Sequence, residues 1–345
     1  MDENSGDSQQ IFVVYKRRYL ILILLATNFY QHYEFASITN IVADFYGINV
    51  SAVNWTSLLY NIGSAVMFYP IVMCIKKFGF RTTTVLVTFC NALGPSIKCF
   101  ALNSDLYPLL LVGQSLPAFM TIVMPSLAAV FAANWFQSEH IATVLSVNNV
   151  FLNFGSAAAF LSPSIVFSGL KSKNDIFNSL SMVSIILALI TNLIFIVSVI
   201  IVREKPPTFP SFAQHSREDR LKDKKFSELM LNKNYILLTI VFSIILAISQ
   251  TLTVILNQSI LTKFPNEYHI VTIAGLLSLA SGMLSSPLTV TYPFSEAITI
   301  NVSTLIACLP AIILLPLTSS LITNYGTFAG NSVLIIAALI SLIAS

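Results

Sequence analysis

Residues 178–202 read NSLSMVSIILALITNLIFIVSVIIV, a run without a single charge, and Arg203, Glu204, Lys205 and Pro206 come directly after it. As a helix this stretch rises roughly 37 Å at 1.5 Å per residue, enough to cross the ~30 Å hydrocarbon core of a bilayer. Lipid offers no water to satisfy backbone N–H and C=O groups, so a run of this kind has to be helical. Working outward, comparable apolar runs occupy 19–41, 52–75, 82–102, 107–134 and 141–168 on one side, and 235–258, 270–286, 298–318 and 325–345 on the other. The pattern predicts an all-α integral membrane protein with about ten transmembrane helices, six and then four. Composition agrees: 55% of residues are apolar and 10% charged, against about a quarter charged in an ordinary soluble chain.

The runs divide the chain into an N-terminal segment, 1–18, a six-helix half, 19–202, a linker, 203–234, and a shorter second half, 235–345. The linker opens with Glu204-Lys205-Pro206-Pro207 and carries Arg217, Arg220, Lys222, Lys224, Lys225 and Lys233. With the N-terminus cytoplasmic, these residues, Lys16, Arg17 and Arg18, and the Lys76, Lys77 and Arg81 group share one side. The opposite loops hold Lys171, Lys173 and Lys263. Positive charge stays on the cytoplasmic side, so both termini are expected there, and the plasma membrane is the expected residence. Two glycosylation sequons, Asn49-Val50-Ser51 and Asn54-Trp55-Thr56, fall in the first outside loop, close to the second span.

The cations lie between apolar runs and form no basic face with interleaved aromatics, which argues against nucleic acid as a partner. Cys74, Cys90, Cys99 and Cys308 lie in or beside apolar runs without the paired spacing of a zinc site or disulfide framework, and read as small buried hydrophobes. No nucleophile–base pair, two-carboxylate site or His-Glu-x-x-His string points to an enzyme, and no metal or cofactor is expected. The expected partners are the bilayer and a small solute.

The first span carries the most chemistry. At 100° per residue Thr27, Asn28, Gln31, His32, Glu34 and Thr39 fall within less than half the circumference. A polar stripe in lipid must face a partner helix or water, because each unpaired polar group there costs several kcal/mol. Glu34 is the single acidic residue well inside a span. Two readings stand: a cation or proton site, with His32 able to change charge near neutral pH, or a carboxylate close enough to the outer surface for water to reach it. Asn257 and Gln258, near the outer end of the seventh span, either line a cavity or bond a partner helix. Lys98, near the outer end of the third span, is expected to snorkel to the interface.

Six helices, a charged linker and a second helical half resemble the layout of the major facilitator superfamily, whose members bind solute between the halves. Particular strings narrow the resemblance to the feline leukaemia virus subgroup C receptor (FLVCR) family, solute carrier family 49. Tyr15-Lys16-Arg17-Arg18-Tyr19 is similar to its YKRRW entry; Phe45-Tyr46-Gly47, Asn54-Trp55 and Tyr60 to its FYG, DWLS and Y positions; Lys77-Phe78-Gly79-Phe80-Arg81-Thr82 to its KFGLRT loop. Gly113-Gln114, Trp135-Phe136 and Glu204-Lys205-Pro206 resemble its GQ, WF and EKP marks. In the second half Leu256-Asn257-Gln258 is similar to its LNQ, Thr291-Tyr292-Pro293 with Ser295-Glu296 to its TYPESEG, and Asn324-Tyr325-Gly326 and Ala329-Gly330-Asn331 to the start of its twelfth helix.

The resemblance implies a transporter working by alternating access, with a choline- or ethanolamine-like cation as first expectation and haem, for which His32 is a conceivable ligand, as another. It also exposes departures. Between Leu284 and Thr291 the chain passes from the family's eighth helix to the lead-in of its eleventh, so helices nine and ten are expected to be absent; loss of an even number preserves the orientation of the later spans. That leaves open a transport-inactive binding or regulatory form. In the cavity the family's Trp, Gln, Tyr and Gln positions fall on His32, Thr121, Gln250 and Cys308, and the aromatic cage that holds a quaternary ammonium is not reproduced, although Tyr30, Tyr33 and Phe35 lie nearby. The superfamily loop between helices two and three latches the inner side by charge pairing. Here Lys76 and Lys77 stand where an acidic residue is expected, which predicts a weakened latch.

Overall fold

The computed structural model describes Ile21 and residues 35–121, 123–137, 140–167, 170, 172–206, 233–264, 267–284 and 296–344. Among them all regular structure is helical. A 3-10 turn, Phe35–Ile38, runs into α1 (Thr39–Tyr46), which continues the first span five residues beyond its expected end and stops where Gly47 takes a left-handed conformation, φ 65°. A short α2 (Val50–Val53) leads to α3 (Trp55–Phe100), which contains the second and third spans in two limbs. The break is Gly79, at φ 79° and ψ −179°, a backbone region that essentially only glycine enters.

The fourth span is divided into α4 (Tyr107–Met120) and α5 (Val123–Trp135). Pro117 and Pro125 withhold two N–H groups from the helical ladder around this break. The remaining helices are α6 (Ile141–Val166), α7 (Lys173–Ile201), α8 (Lys233–Leu261), α9 (Tyr268–Leu284), α10 (Glu296–Tyr325) and α11 (Thr327–Ala344). Among the described residues four stretches, Ser104–Trp135, Lys173–Ile201, Thr239–Leu261 and Cys308–Tyr325, are individually long and apolar enough to cross a membrane, and the chain is a multi-pass membrane protein.

Side contacts check the threading. Tyr46 donates from its hydroxyl to the carbonyl of Ala101 at 2.7 Å, and Tyr107 to that of Ala52 at 2.5 Å, so the ends of α1 and α3 and the start of α4 lie on one side. On the other, the Glu204 carboxylate accepts from the backbone N–H groups of Phe80 and Arg81 at 2.7 and 2.8 Å. The first side is called outer and the second inner, in the sense the charge asymmetry predicts.

Two larger apolar clusters of described residues lie in the first half. Phe80, Phe131, Trp135, Phe136 and Val202 pack near its inner end, and Ile38, Val42, Phe45, Ala101, Leu110 and Phe167 near its outer end. The halves meet along two seams: Leu58 of α3 packs with Val254, Ile255, Leu315 and Ile322 of α8 and α10, and Phe160 of α6 with Leu256 and Val271 of α8 and α9. In contrast, α7 exposes Leu189, Leu193, Ile196 and Ile200 along one stripe, an apolar face of a size that requires lipid. Several hydroxyls inside the spans bond back to their own helix, as Thr84 does to Phe80, Thr191 to Leu187 and Ser243 to Thr239, which satisfies those donors without a partner helix.

Candidate functional site

At the outer end, amide side chains join the halves. Asn257 of α8, 1% exposed, donates from Nδ2 to the Ser37 carbonyl at 2.7 Å and to Asn40 Oδ1 at 3.3 Å. Asn40 of α1 donates in turn to the Tyr268 hydroxyl of α9 at 2.8 Å. A second chain runs beside it: Asn54 donates to Ser319 Oγ of α10 at 2.9 Å, and the Ser319 hydroxyl donates to Gln258 Oε1 at 3.0 Å. Gln258 Nε2 completes it, donating to Thr323 Oγ1 at 3.0 Å and to the Ser319 carbonyl at 3.3 Å. Asn257 and Gln258 thus take different parts. One helical position apart, they point about 100° apart; Asn257 faces the other half and Gln258 its own neighbour α10.

Every member of this clasp is neutral. A net gain of about 1 kcal/mol per hydrogen bond makes it strong enough to bias a conformation and weak enough to be undone.

Gln250 lies two turns inward of Asn257 on the same face of α8, about 10 Å along the axis. Its Oε1 is buried and has no hydrogen-bond partner, an acceptor aimed among the helices below the clasp. Thr121 sits at the break between α4 and α5, its hydroxyl donating to the Pro117 carbonyl at 2.9 Å. Cys308, buried in α10, is hydrogen-bonded to the Ser64 side chain of α3. Asn28, Gln31, His32 and Glu34 lie outside the described residues. Among the described residues no group of three His, Cys, Asp or Glu side chains could hold a metal ion.

The expectation that Lys98 snorkels is overturned. Lys98 is 5% exposed and its ammonium donates to Gln114 Oε1 at 2.7 Å, while Gln114 Nε2 donates to the Tyr60 hydroxyl at 3.1 Å. The physical reason is the close crossing of α3 and α4 at Gly94 and Gly113. A Cβ on Gly94 would meet the Gly113 carbonyl oxygen at 2.6 Å, and one on Gly113 would meet Lys98 Cγ at 2.7 Å. With no side chain between them, α4 lies over the lysine stem and closes its path to the interface.

At the inner end, Glu204 caps the second limb of α3, directly beside Gly79, where a Cβ would meet its Cδ at 2.7 Å. The acidic group facing the 77–81 loop therefore comes from the end of α7. Neither this contact nor the Lys98–Gln114–Tyr60 chain is readable from spacing, because each joins residues from separate spans.

A family model described as the Major Facilitator Superfamily matches residues 19–345, and the chain belongs to that superfamily. Within it, the FLVCR resemblance holds. The chain is 26% identical over 285 residues to the rat choline/ethanolamine transporter FLVCR2 and 25% identical to the human one, covering 80% of this chain in each case and 52% and 54% of the relative. It is also 25% identical to an uncharacterized MFS-type transporter of Caenorhabditis elegans, over 79% of this chain and 48% of that protein. The chain spans about half the length of the curated relatives it matches. Among solved structures, the inward-open xylose transporter XylE of E. coli superposes with a TM-score of 0.64 at 9% identity over 95% of both chains. The human organic anion transporter MFSD10 gives 0.63 at 11% identity over 95% and 98%. These likenesses show the fold.

Proposed function

We propose that this protein carries a small organic solute through the bilayer by alternating access, and that the solute is a choline- or ethanolamine-like cation. The observation that carries the reading is the neutral clasp between the halves with the unmatched Gln250 acceptor beneath it. Breaking the clasp hydrates amides and hydroxyls that bond water equally well, so the outer side opens at small cost. Below it, an acceptor without a donor suits a solute that brings one: the hydroxyl of choline, or the hydroxyl and ammonium of ethanolamine. The relatives named choline/ethanolamine transporters favour the same chemistry. Asn28, Gln31, His32, Glu34, Thr121, Asn257 and Gln258 are proposed to border the path with Gln250. The relatives' names speak of choline and ethanolamine and not of haem, and His32, the conceivable haem ligand, lies outside the described residues. Transport, rather than an enzymatic reaction, is the proposed activity, at the plasma membrane, with both termini cytoplasmic and 203–234 linking the halves.

The test is uptake of labelled choline and ethanolamine into vesicles reconstituted with the protein. Gln250→Leu removes the acceptor, and the loss of one hydrogen bond of about 1 kcal/mol is expected to raise KM roughly fivefold for both solutes. An unchanged KM would remove Gln250 from the path. A second reading rests on the expected absence of helices nine and ten: a chain that binds solute and moves none. Saturable binding with flux no greater than in protein-free vesicles would favour it.

A further inference from the structure

We propose that Asn49 is the N-glycosylated residue of the first outer loop and that Asn54, the other sequon asparagine of that loop, carries no glycan. The two sequons are five residues apart and equivalent as strings, but the fold treats them oppositely. Asn49 lies just past the left-handed Gly47 that ends α1; its backbone is extended, φ −69° and ψ 146°, and its side chain makes no capping bond to α2. Asn49 and the hydroxyl-bearing Ser51 are both exposed. Asn54 and Thr56 are 7% and 1% exposed. The Asn54 Nδ2 donates to Ser319 of the other half, and Thr56 donates to the Val53 carbonyl at 2.7 Å.

The modification joins the asparagine Nδ2 to C1 of a lipid-diphosphate-linked oligosaccharide. The N–C1 bond forms, the C1–oxygen bond to the diphosphate breaks, the amide nitrogen loses a proton, and the lipid diphosphate leaves. A sugar on Asn54 Nδ2 would occupy the space in which α10 meets α3 and remove the bond to Ser319, so a folded chain with its outer clasp closed excludes it. On Asn49 the same sugar points into solvent and touches no part of the clasp. The site also requires the loop to face the lumenal side during synthesis, the orientation the charge asymmetry predicts.

The experiment is expression of the full chain in animal cells, the source of its curated relatives in rat, human and nematode, with peptide N-glycosidase treatment and electrophoresis of the product. The expected result is a single-glycan mobility step that is lost in Asn49→Gln and in Ser51→Ala and kept in Asn54→Gln. Ser51→Ala alters an exposed hydroxyl only, so it stands as the control if Asn49→Gln expresses poorly. No step in the wild type, a step that survives Ser51→Ala, or a step lost in Asn54→Gln overturns the assignment.

Discussion

Asn257→Leu is expected to open the outer side of the protein. The leucine removes both donations of Asn257 and leaves the Ser37 carbonyl and Asn40 Oδ1 without that donor in a buried place. An unsatisfied buried acceptor costs about 1–3 kcal/mol, and the cost falls on the closed arrangement alone, since water reaches these groups once the halves part. A differential of about 2 kcal/mol moves the closed-to-open ratio roughly thirtyfold. The readout is labelling of Gln250→Cys, in a background whose four cysteines are replaced, by a membrane-impermeant maleimide added outside. Labelling at least tenfold faster with Asn257→Leu is the expected result; an unchanged rate would mean that the amide contributes nothing to closure. Gln258→Leu serves as the contrast. Its bonds run to α10 within its own half, so its effect on labelling should be the smaller one.

Gln114→Leu is expected to destabilise the protein more than Lys98→Met. Gln114 is fully buried and supplies the 2.7 Å acceptor of a buried ammonium. Removing the acceptor of a charge-assisted hydrogen bond costs roughly 1.5–3 kcal/mol or more, because the buried charge stays behind. Lys98→Met removes the charge itself and fills a similar volume, leaving a neutral oxygen without a donor at a cost of about 1–2 kcal/mol. The double variant, with no ammonium left to satisfy, should recover most of the Gln114→Leu loss, a non-additivity expected of residues in contact. Thermal unfolding in detergent orders the three. Lys98→Met melting below Gln114→Leu, or a double variant whose loss equals the sum, would contradict a coupled pair.

Both expectations rest on contacts that spacing alone does not reveal, whereas the helices themselves were legible. The predicted span 178–202 lies within α7 and one residue beyond it, 141–168 matches α6 (Ile141–Val166), and 270–286 matches α9 (Tyr268–Leu284). Apolar length is a property of one segment, set by the thickness of lipid. Breaks within spans were harder, since Pro117 and Pro125 interrupt an otherwise unbroken apolar run and Gly79 joins two spans into one long element. Hardest were polar partners. Lys98 looks like a snorkelling residue until α4 is known to cross at Gly94, and Asn54 looks like a sugar acceptor until Ser319, far along the chain, is known to sit against it. The polar stripe of the first span, which held the strongest sequence signal, falls at Asn28 to Glu34, outside the described residues.

The most direct test of alternating access is a disulfide across the clasp. Asn54→Cys with Ser319→Cys, in the cysteine-replaced background, joins α3 to α10 where Asn54 Nδ2 and Ser319 Oγ now stand 2.9 Å apart. Choline uptake by reconstituted vesicles should fall to the level of protein-free vesicles on oxidation and return on reduction. Uptake that continues unchanged with the bond formed would show that solute crosses without the outer halves parting, and would contradict the mechanism.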